Sequence, residues 1–267
     1  MKLCAFCVQL NNMDNEIILE SHNLRKEFGA LVAVAGVSVK VKKDAIHSVI
    51  GPNGAGKTTF FNLLSGTLPP TSGRVIFKGR DITNIPVHQT IHLGIGRSFQ
   101  ITNLFPNLTA LENVRLACQA LGKDSFRFFQ SHKQFQKYEE RAMEVLEGVG
   151  LGKRALSPAR TLPHGDQRKL ELAMILAPNP EVLLLDEPTA GMAAEQVPEL
   201  IDLIKEVHQS GDKTIILVEH NMNVVMSISD RITVMHLGEV LAEGSPSEIA
   251  ANETVQKAYL GELYRDQ

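Results

Sequence analysis

The chain has no tryptophan and only three cysteines in 267 residues. Cys4 and Cys7 form "CAFC" near the start, while Cys118 stands alone in an apolar helical stretch. A closed zinc site needs four ligands, and no second CxxC joins the first, so neither a structural metal nor a disulfide framework organises this sequence. No apolar run approaches the eighteen residues a membrane-spanning helix requires, so a membrane role must come through a partner. There is no basic block: 27 Lys and Arg face 30 Asp and Glu, for a net charge of -3, which argues against a nucleic-acid partner bound through its phosphates. Internal repeats and low-complexity tracts are also missing. The opening "MKLCAFCVQLNNMDNE" is too short in its apolar run for a secretory signal. Residues 1–16 are therefore expected to be a disordered leader, with Met13 as an alternative start, in a reducing cytoplasmic setting.

What is present is a 43% hydrophobic chain long enough for one large domain, expected over residues 17–267. Short runs, "IILES", "AIHSVIG", "EVLLLD", "TIILVE" and "RITVM", alternate with helical patterns such as Val197, Leu200, Ile201, Ile204 and Val207. "VLLLD" and "TIILV" have lost the polar alternation of a half-exposed strand, which predicts a mainly parallel sheet covered by helices, an α/β core. Between Thr109 and Ala159 strand-like runs vanish, and Phe135, Tyr138, Ala142, Val145, Leu146 and Val149 fall on one helical stripe. This predicts a helical subdomain over residues 101–159, inserted between core segments 17–100 and 160–267.

The chemistry concentrates in "VIGPNGAGKTTFFNLLSG". Gly51, Gly54 and Gly56 let the backbone curl through positive φ and turn successive N–H groups toward one point, while Thr58 opens a helix whose positive end favours anions. The GxxxxGK[ST] segment, Gly51, Pro52, Asn53, Gly54, Ala55, Gly56, Lys57 and Thr58, cradles a phosphate chain. Lys57 reaches the β and γ phosphates, Thr58 offers its hydroxyl to Mg2+, and Thr59 binds the α-phosphate. A strand before and a helix after are the context this motif needs, so the predicted ligand is a nucleoside triphosphate with Mg2+.

A second half of the site is expected at the end of a buried strand, and "EVLLLDEPTAG" ends in paired acids. Two acids after a strand are often a solvated loop, but an apolar run closing on Asp matches a Walker B strand. Asp186 then holds Mg2+ through water, and Glu187 orients or deprotonates the attacking water.

Three further segments select the type of phosphate-loop enzyme: "IGRSFQ" with Gln100, "ILVEH" with His220, and "LPHGDQ" between the helical insert and the acidic strand. In this order the motifs resemble an ABC-type ATPase over essentially the whole chain from Ile17 onward. The resemblance implies a phosphate-loop core, an antiparallel β subdomain and an inserted helical subdomain. It places Phe28 on the adenine ring, Gln100 near Mg2+ or the lytic water, and His220 beside the γ-phosphate, where it donates to the transferring oxygens and orients Glu187. It also implies that Leu162, Pro163, His164, Gly165 and Asp166 close over ATP bound by the phosphate loop of a second ATPase subunit.

Two departures fall on that shared surface. Pro163 stands where the family has a serine, and Ala193, in "AGMA", stands where it has an acid or amide. Either the proline only pre-sets the turn before a helix, or this chain supplies the weaker clamp of a heterodimer with unequal sites. "HGDQRKLELAMILA", "DEPTAGM", "VEHNMNVVMSISDRITVMHLGEVLAEG" and "VQKAYLGE" resemble the ATP-binding subunit of branched-chain amino acid importers. That resemblance implies two transmembrane permease subunits, an extracytoplasmic substrate-binding protein, and a peripheral position on the cytoplasmic face of the inner membrane. Ile101, Leu104, Phe105 and Leu108 would form the permease groove, unless they only pack the insert onto the core. Urea or amide importers and lipopolysaccharide exporters carry close relatives, and a soluble, non-transport ABC ATPase is a further alternative.

Overall fold

The computed structural model describes residues 16–98, 104–120, 122, 132–210 and 213–263. Cys4, Cys7, Gln100, Ile101 and the expected leader up to residue 15 lie outside these, as does the side chain of Phe135. The chain divides into two compact units, one within Met1–Val87 and Asp212–Gln267, the other within His88–Gly211. Among the described residues no helix is long and apolar enough to cross a membrane.

The first unit holds two sets of strands. β1 (Ile17–Phe28) and β2 (Leu31–Lys42) form a long hairpin closed at Gly29, whose φ of 61° suits a residue without a Cβ. With β4 (Ser72–Phe77) and β5 (Arg80–Asp81) they make an antiparallel sheet of order β2-β1-β4-β5. Here residues do alternate: Val37, Val39 and Val41 are buried while Ser38, Lys40 and Lys42 face out.

β3 (Ile46–Ile50) instead runs parallel to both β8 (Thr214–Val218) and β9 (Arg231–His236), and β10 (Glu239–Gly244) returns antiparallel along β9. Every residue of β3 and β8 is buried, which is why their sequences carry no polar alternation. Helix α1 (Lys57–Leu64) follows β3. Beyond β8 and β10 come α7 (Met222–Ile228), α8 (Pro246–Ala250) and α9 (Glu253–Leu263). Ile50, Val225, Ile232, Val234, Ile249 and Val255 form one buried cluster, so these C-terminal helices pack on the strands that carry the phosphate loop.

The second unit pairs β6 (Ile95–Arg97) in parallel with β7 (Val182–Asp186), with Ile95 opposite Val182. Helix α2 (Val87–Leu93) leads into β6, and helices α3 (Ala110–Gln119), α4 (His132–Gly148), α5 (His164–Leu176) and α6 (Val197–Ser210) complete the unit. Thr109 and Glu112 cap α3 reciprocally. Of the expected stripe on α4, Ala142, Val145 and Leu146 are buried, with Val149 just past its end, while Tyr138 is half-buried.

One buried group in β3 makes stability depend on pH. His47 is 1% exposed, its Nε2 lies 2.7 Å from Thr233 Oγ1, and burial lowers its pKa from 6.5 to about 4, Glu243 raising it and Arg231 lowering it by less. A histidine depressed in the folded state binds fewer protons there than in the unfolded chain. Its stabilising effect is therefore complete above pH 6.5 and fades as pH falls toward 4. Denaturant unfolding at pH 7 and pH 4.5 is expected to show the wild type losing roughly 2 to 3 kcal/mol that a His47→Gln variant retains.

Candidate nucleotide-binding site

The loop between β3 and α1 is shaped by close backbone approach. A Cβ on Gly51 would lie 2.2 Å from Met235 O, and one on Gly56 would lie 2.3 Å from Ala33 O, so neither position accepts a side chain. Gly56, at φ 94°, is the N-cap of α1 and makes no side-chain cap bond. The first turn of the helix therefore has no side-chain cap, a geometry that suits an anion at its positive end. The turn between β9 and β10 braces the loop, Gly238 N donating to Ala55 O at 3.0 Å while Gly238 O accepts from Ala35 N at 2.8 Å. Lys57 is 8% exposed, and its Nζ donates to Gly51 O and Pro52 O at 2.6 and 2.9 Å. An incoming phosphate would exchange charge-assisted bonds for these carbonyl contacts. Thr58 and Thr59 follow in the first turn, both half-buried.

At the tip of the β1–β2 hairpin Phe28 is 49% exposed and Leu31, directly opposite, 65%. Lys26 Nζ sits 5.3 Å from the Phe28 ring centroid, so the ring offers a flat apolar face beside a cation. His220 follows the last residues of β8 and is exposed, whereas Glu219 before it is fully buried. The Glu219 carboxylate accepts from His220 N at 3.2 Å and from Asn221 N at 3.5 Å, and Asn221 caps α7. These bonds fix the backbone from which the imidazole projects.

In the second unit β7 delivers Asp186 to the end of a wholly buried strand, where it is 3% exposed. Ser98 ties the strands together there: its N donates to Leu184 O and its Oγ accepts from Asp186 N, both at 2.8 Å. Arg97 Nη2 lies 3.5 Å from Asp186 Oδ2, the two side chains 8% and 1% exposed. Burial lowers the Arg97 pKa while Asp186 opposes the shift, so the carboxylate supports a desolvated guanidinium. Breaking such a buried pair costs about 3 to 5 kcal/mol. Glu187, next in the chain, has φ 48°, a left-handed conformation that strains any residue with a Cβ and that gathers at functional positions.

"LPHGDQ" opens α5. Leu162 is buried, and Pro163, φ -55° and ψ 154°, is the N-cap without a side-chain cap bond. Exposed His164 rests against Gly191, and Gly165 fits beside Gln196, whose Cδ would lie 3.3 Å from an added Cβ. Asp166 Oδ2 pairs with Arg154 Nη1 at 3.2 Å, which offsets a negative charge beside a helix end offered to anions. Ala193 likewise caps the short turn Ala194–Gln196 with no side-chain bond.

Thr58 and Asp186 offer a hydroxyl and a carboxylate, the hard oxygen donors Mg2+ takes. Among the described residues no three His, Cys, Asp or Glu gather as a metal cage.

The ABC transporter family matches residues 34–190. LivG of Salmonella typhimurium, a high-affinity branched-chain amino acid transport ATP-binding protein, is 41% identical over 250 residues, 92% of this chain and 98% of LivG. The chain belongs to the ABC transporter family. BraF of Pseudomonas aeruginosa, with the same description, is 42% identical over the same shares. The C-terminal description "branched-chain amino acid ATP-binding cassette transporter" matches residues 239–264, a stretch that begins with β10 and takes in α8 and α9. Two solved structures, each 29% identical, have the same ABC ATPase fold. The ADP conformation of the ATP-binding cassette MJ1267 superposes with a TM-score of 0.80, covering 92% of this chain and all of that one. A dimeric post-hydrolysis state of the cassette MJ0796, bound to ADP and Pi, superposes with 0.72 over 86% and 99%.

The structure adds residues that motif reading passed over: Arg97, Ser98 and Glu219. Their signal was present, a charge or hydroxyl at the end of a short apolar strand. Phe28→Ala is expected to weaken ATP binding about tenfold, the loss of one stacked ring, while leaving the melting temperature unchanged. Equilibrium titration with a fluorescent ATP analogue, beside thermal unfolding, measures both.

Proposed function

We propose that the chain is the ATP-binding and hydrolysing subunit of an importer for branched-chain amino acids. The observation that carries the reading is the glycine loop closing on the N-terminus of α1 with Lys57 folded inside it, in a chain 41% identical to LivG. Phe28 stacks on the adenine. The backbone N–H groups of residues 53–59 with Lys57 take the phosphates, and Thr59 contacts the innermost one. Thr58 and Asp186 would hold Mg2+, which would supply positive charge to the phosphates. Glu187 accepts the proton of the attacking water, and Gln100 and His220 orient that water and the leaving phosphoryl oxygens.

The segment from Leu162 to Asp166 closes over ATP held by a second ATPase subunit, in keeping with the dimeric MJ0796 structure. Two permease subunits would dock near Phe105, which is 51% exposed while its backbone is pinned by buried Asn113. An extracytoplasmic binding protein would deliver the amino acid. The assembly places this subunit at the cytoplasmic face of the inner membrane.

Glu187→Gln is expected to lower ATP turnover by about a hundredfold or more while ATP binding stays within a few-fold of wild type. Retained turnover would remove Glu187 from the catalytic role. The substrate is tested in cells lacking this chain. High-affinity uptake of radiolabelled leucine should be lost, and restored by the wild type but not by Lys57→Ala; uptake that persists would rule out a branched-chain cargo.

A further inference from the structure

The buried Arg97–Asp186 pair does not end at those two residues. A cavity of about 240 Å³ is lined by Arg97 and Ser98 together with Glu171 of α5, amid apolar Ile91, Met174 and Ile175. A smaller cavity of about 20 Å³ is bordered by Asp186, Ser98, Arg168 and again Glu171. Glu171 thus borders a cavity with each member of the pair. Its Oε2 accepts from Arg168 Nη1 at 2.8 Å, whereas its Oε1 is buried with no hydrogen-bond partner. Arg168 in turn donates through Nη2 to Ala190 O at 2.8 Å, four residues past Asp186. A buried carboxylate oxygen without a donor is costly to keep, and the guanidinium lining the same cavity has a fork of donors to offer it.

We infer that Arg97 is a positioning residue with two partners: it neutralises Asp186 when no divalent cation is there, and turns to Glu171 when Mg2+ takes its place. Two cations cannot both sit against one desolvated carboxylate without repelling each other, so Mg2+ at Asp186 weakens the hold on the guanidinium. Glu171, in the same cavity, receives it. Because Glu171 is also held by Arg168, and Arg168 by Ala190 O, the exchange reaches helix α5, whose first turn is "HGDQ". Occupancy of this chain's own cation site thereby alters the helix proposed to clamp the partner's nucleotide. The inference rests on the placement of Mg2+ at Asp186 proposed above.

The test is the Mg2+ dependence of ADP binding, followed by calorimetry on the full chain with melting temperature as the check on folding. Asp186→Asn examines the underlying placement. If Mg2+ still tightens ADP binding in that variant, the cation is not at Asp186 and this inference falls with that assignment. If the response is lost, the Arg97 exchange is read from Glu171→Gln. That variant removes the alternative charge and should raise the Mg2+ concentration for half-maximal tightening about tenfold, leaving Mg2+-free ADP affinity as in the wild type. Arg97→Lys keeps the charge against Asp186 but has no fork to pass between carboxylates, so adding Glu171→Gln to it should shift nothing further. A Glu171→Gln shift under twofold, or the same shift in the Arg97→Lys background, would overturn the exchange while leaving Mg2+ at Asp186.

Discussion

The first unit depends on a steric constraint, the absence of side chains where the loop after β3 passes the carbonyls of Met235 and Ala33. At 2.2 and 2.3 Å no Cβ fits, so the loop lies flat against β9 on one side and β2 on the other. That contact holds the N-terminus of α1 at the mouth of the sheet. Hydrogen bonds from the β9–β10 turn lock the arrangement, and the C-terminal cluster around Ile232 and Val234 keeps the turn in place. The phosphate loop is therefore supported by strands distant in sequence, and its rigidity is a property of the whole unit. A site that pre-orients amides in this way spends little free energy on reorganisation when charge develops.

Much of this was legible in the sequence, for a physical reason. β3, β7 and β8 are buried on both faces, and such strands must be uninterrupted apolar runs, so "AIHSVIG", "EVLLLD" and "TIILVE" announce themselves. Gly51, Gly56 and Lys57 were equally visible, because the geometry that a phosphate demands excludes most other residues. The antiparallel strands β2, β4 and β10 were harder to see. Register shifts interrupt the pairing, as where β2 meets Leu24 and Arg25 of β1 or between Val240 and Ala242 of β10, and the strand order is a matter of pairing that no local pattern states. The division into units was also hidden: residues 88–211 gather β6, β7, α5 and α6 with α3 and α4, because compactness follows packing rather than the stretch where strand-like text disappears.

What the sequence could not express at the site is charge pairing. Arg97, Asp166 and Glu219 read as single charges, and only the fold shows that Arg97 faces Asp186, that Asp166 is held by Arg154, and that Glu219 anchors the backbone of His220. Each pairing crosses from one element to another, or, for Glu219, turns a side chain back onto the chain ahead of it.

The same pairings bear on the segment proposed to close over a partner's ATP. Pro163 brings no hydroxyl and no N–H, and Ala193 brings no side-chain cap, so neither residue offers a side-chain donor or acceptor on this surface. Asp166 would make matters worse if it stood alone, since a carboxylate in the first turn of α5 occupies the end of the helix that an anion would approach. Its pairing with Arg154, half-exposed, moderates that charge without abolishing it. The φ of Pro163, -55°, is the one a proline prefers, so the turn is unstrained and well defined. The proposed clamp would then be built from the helix N-terminus, the Gly165 backbone and the exposed His164, positioned by shape more than by hydroxyl donors. Such a clamp depends on the helix being held in one orientation, to which its buried Leu170, Leu172 and Ala173 and the bond from Arg168 to Ala190 O contribute.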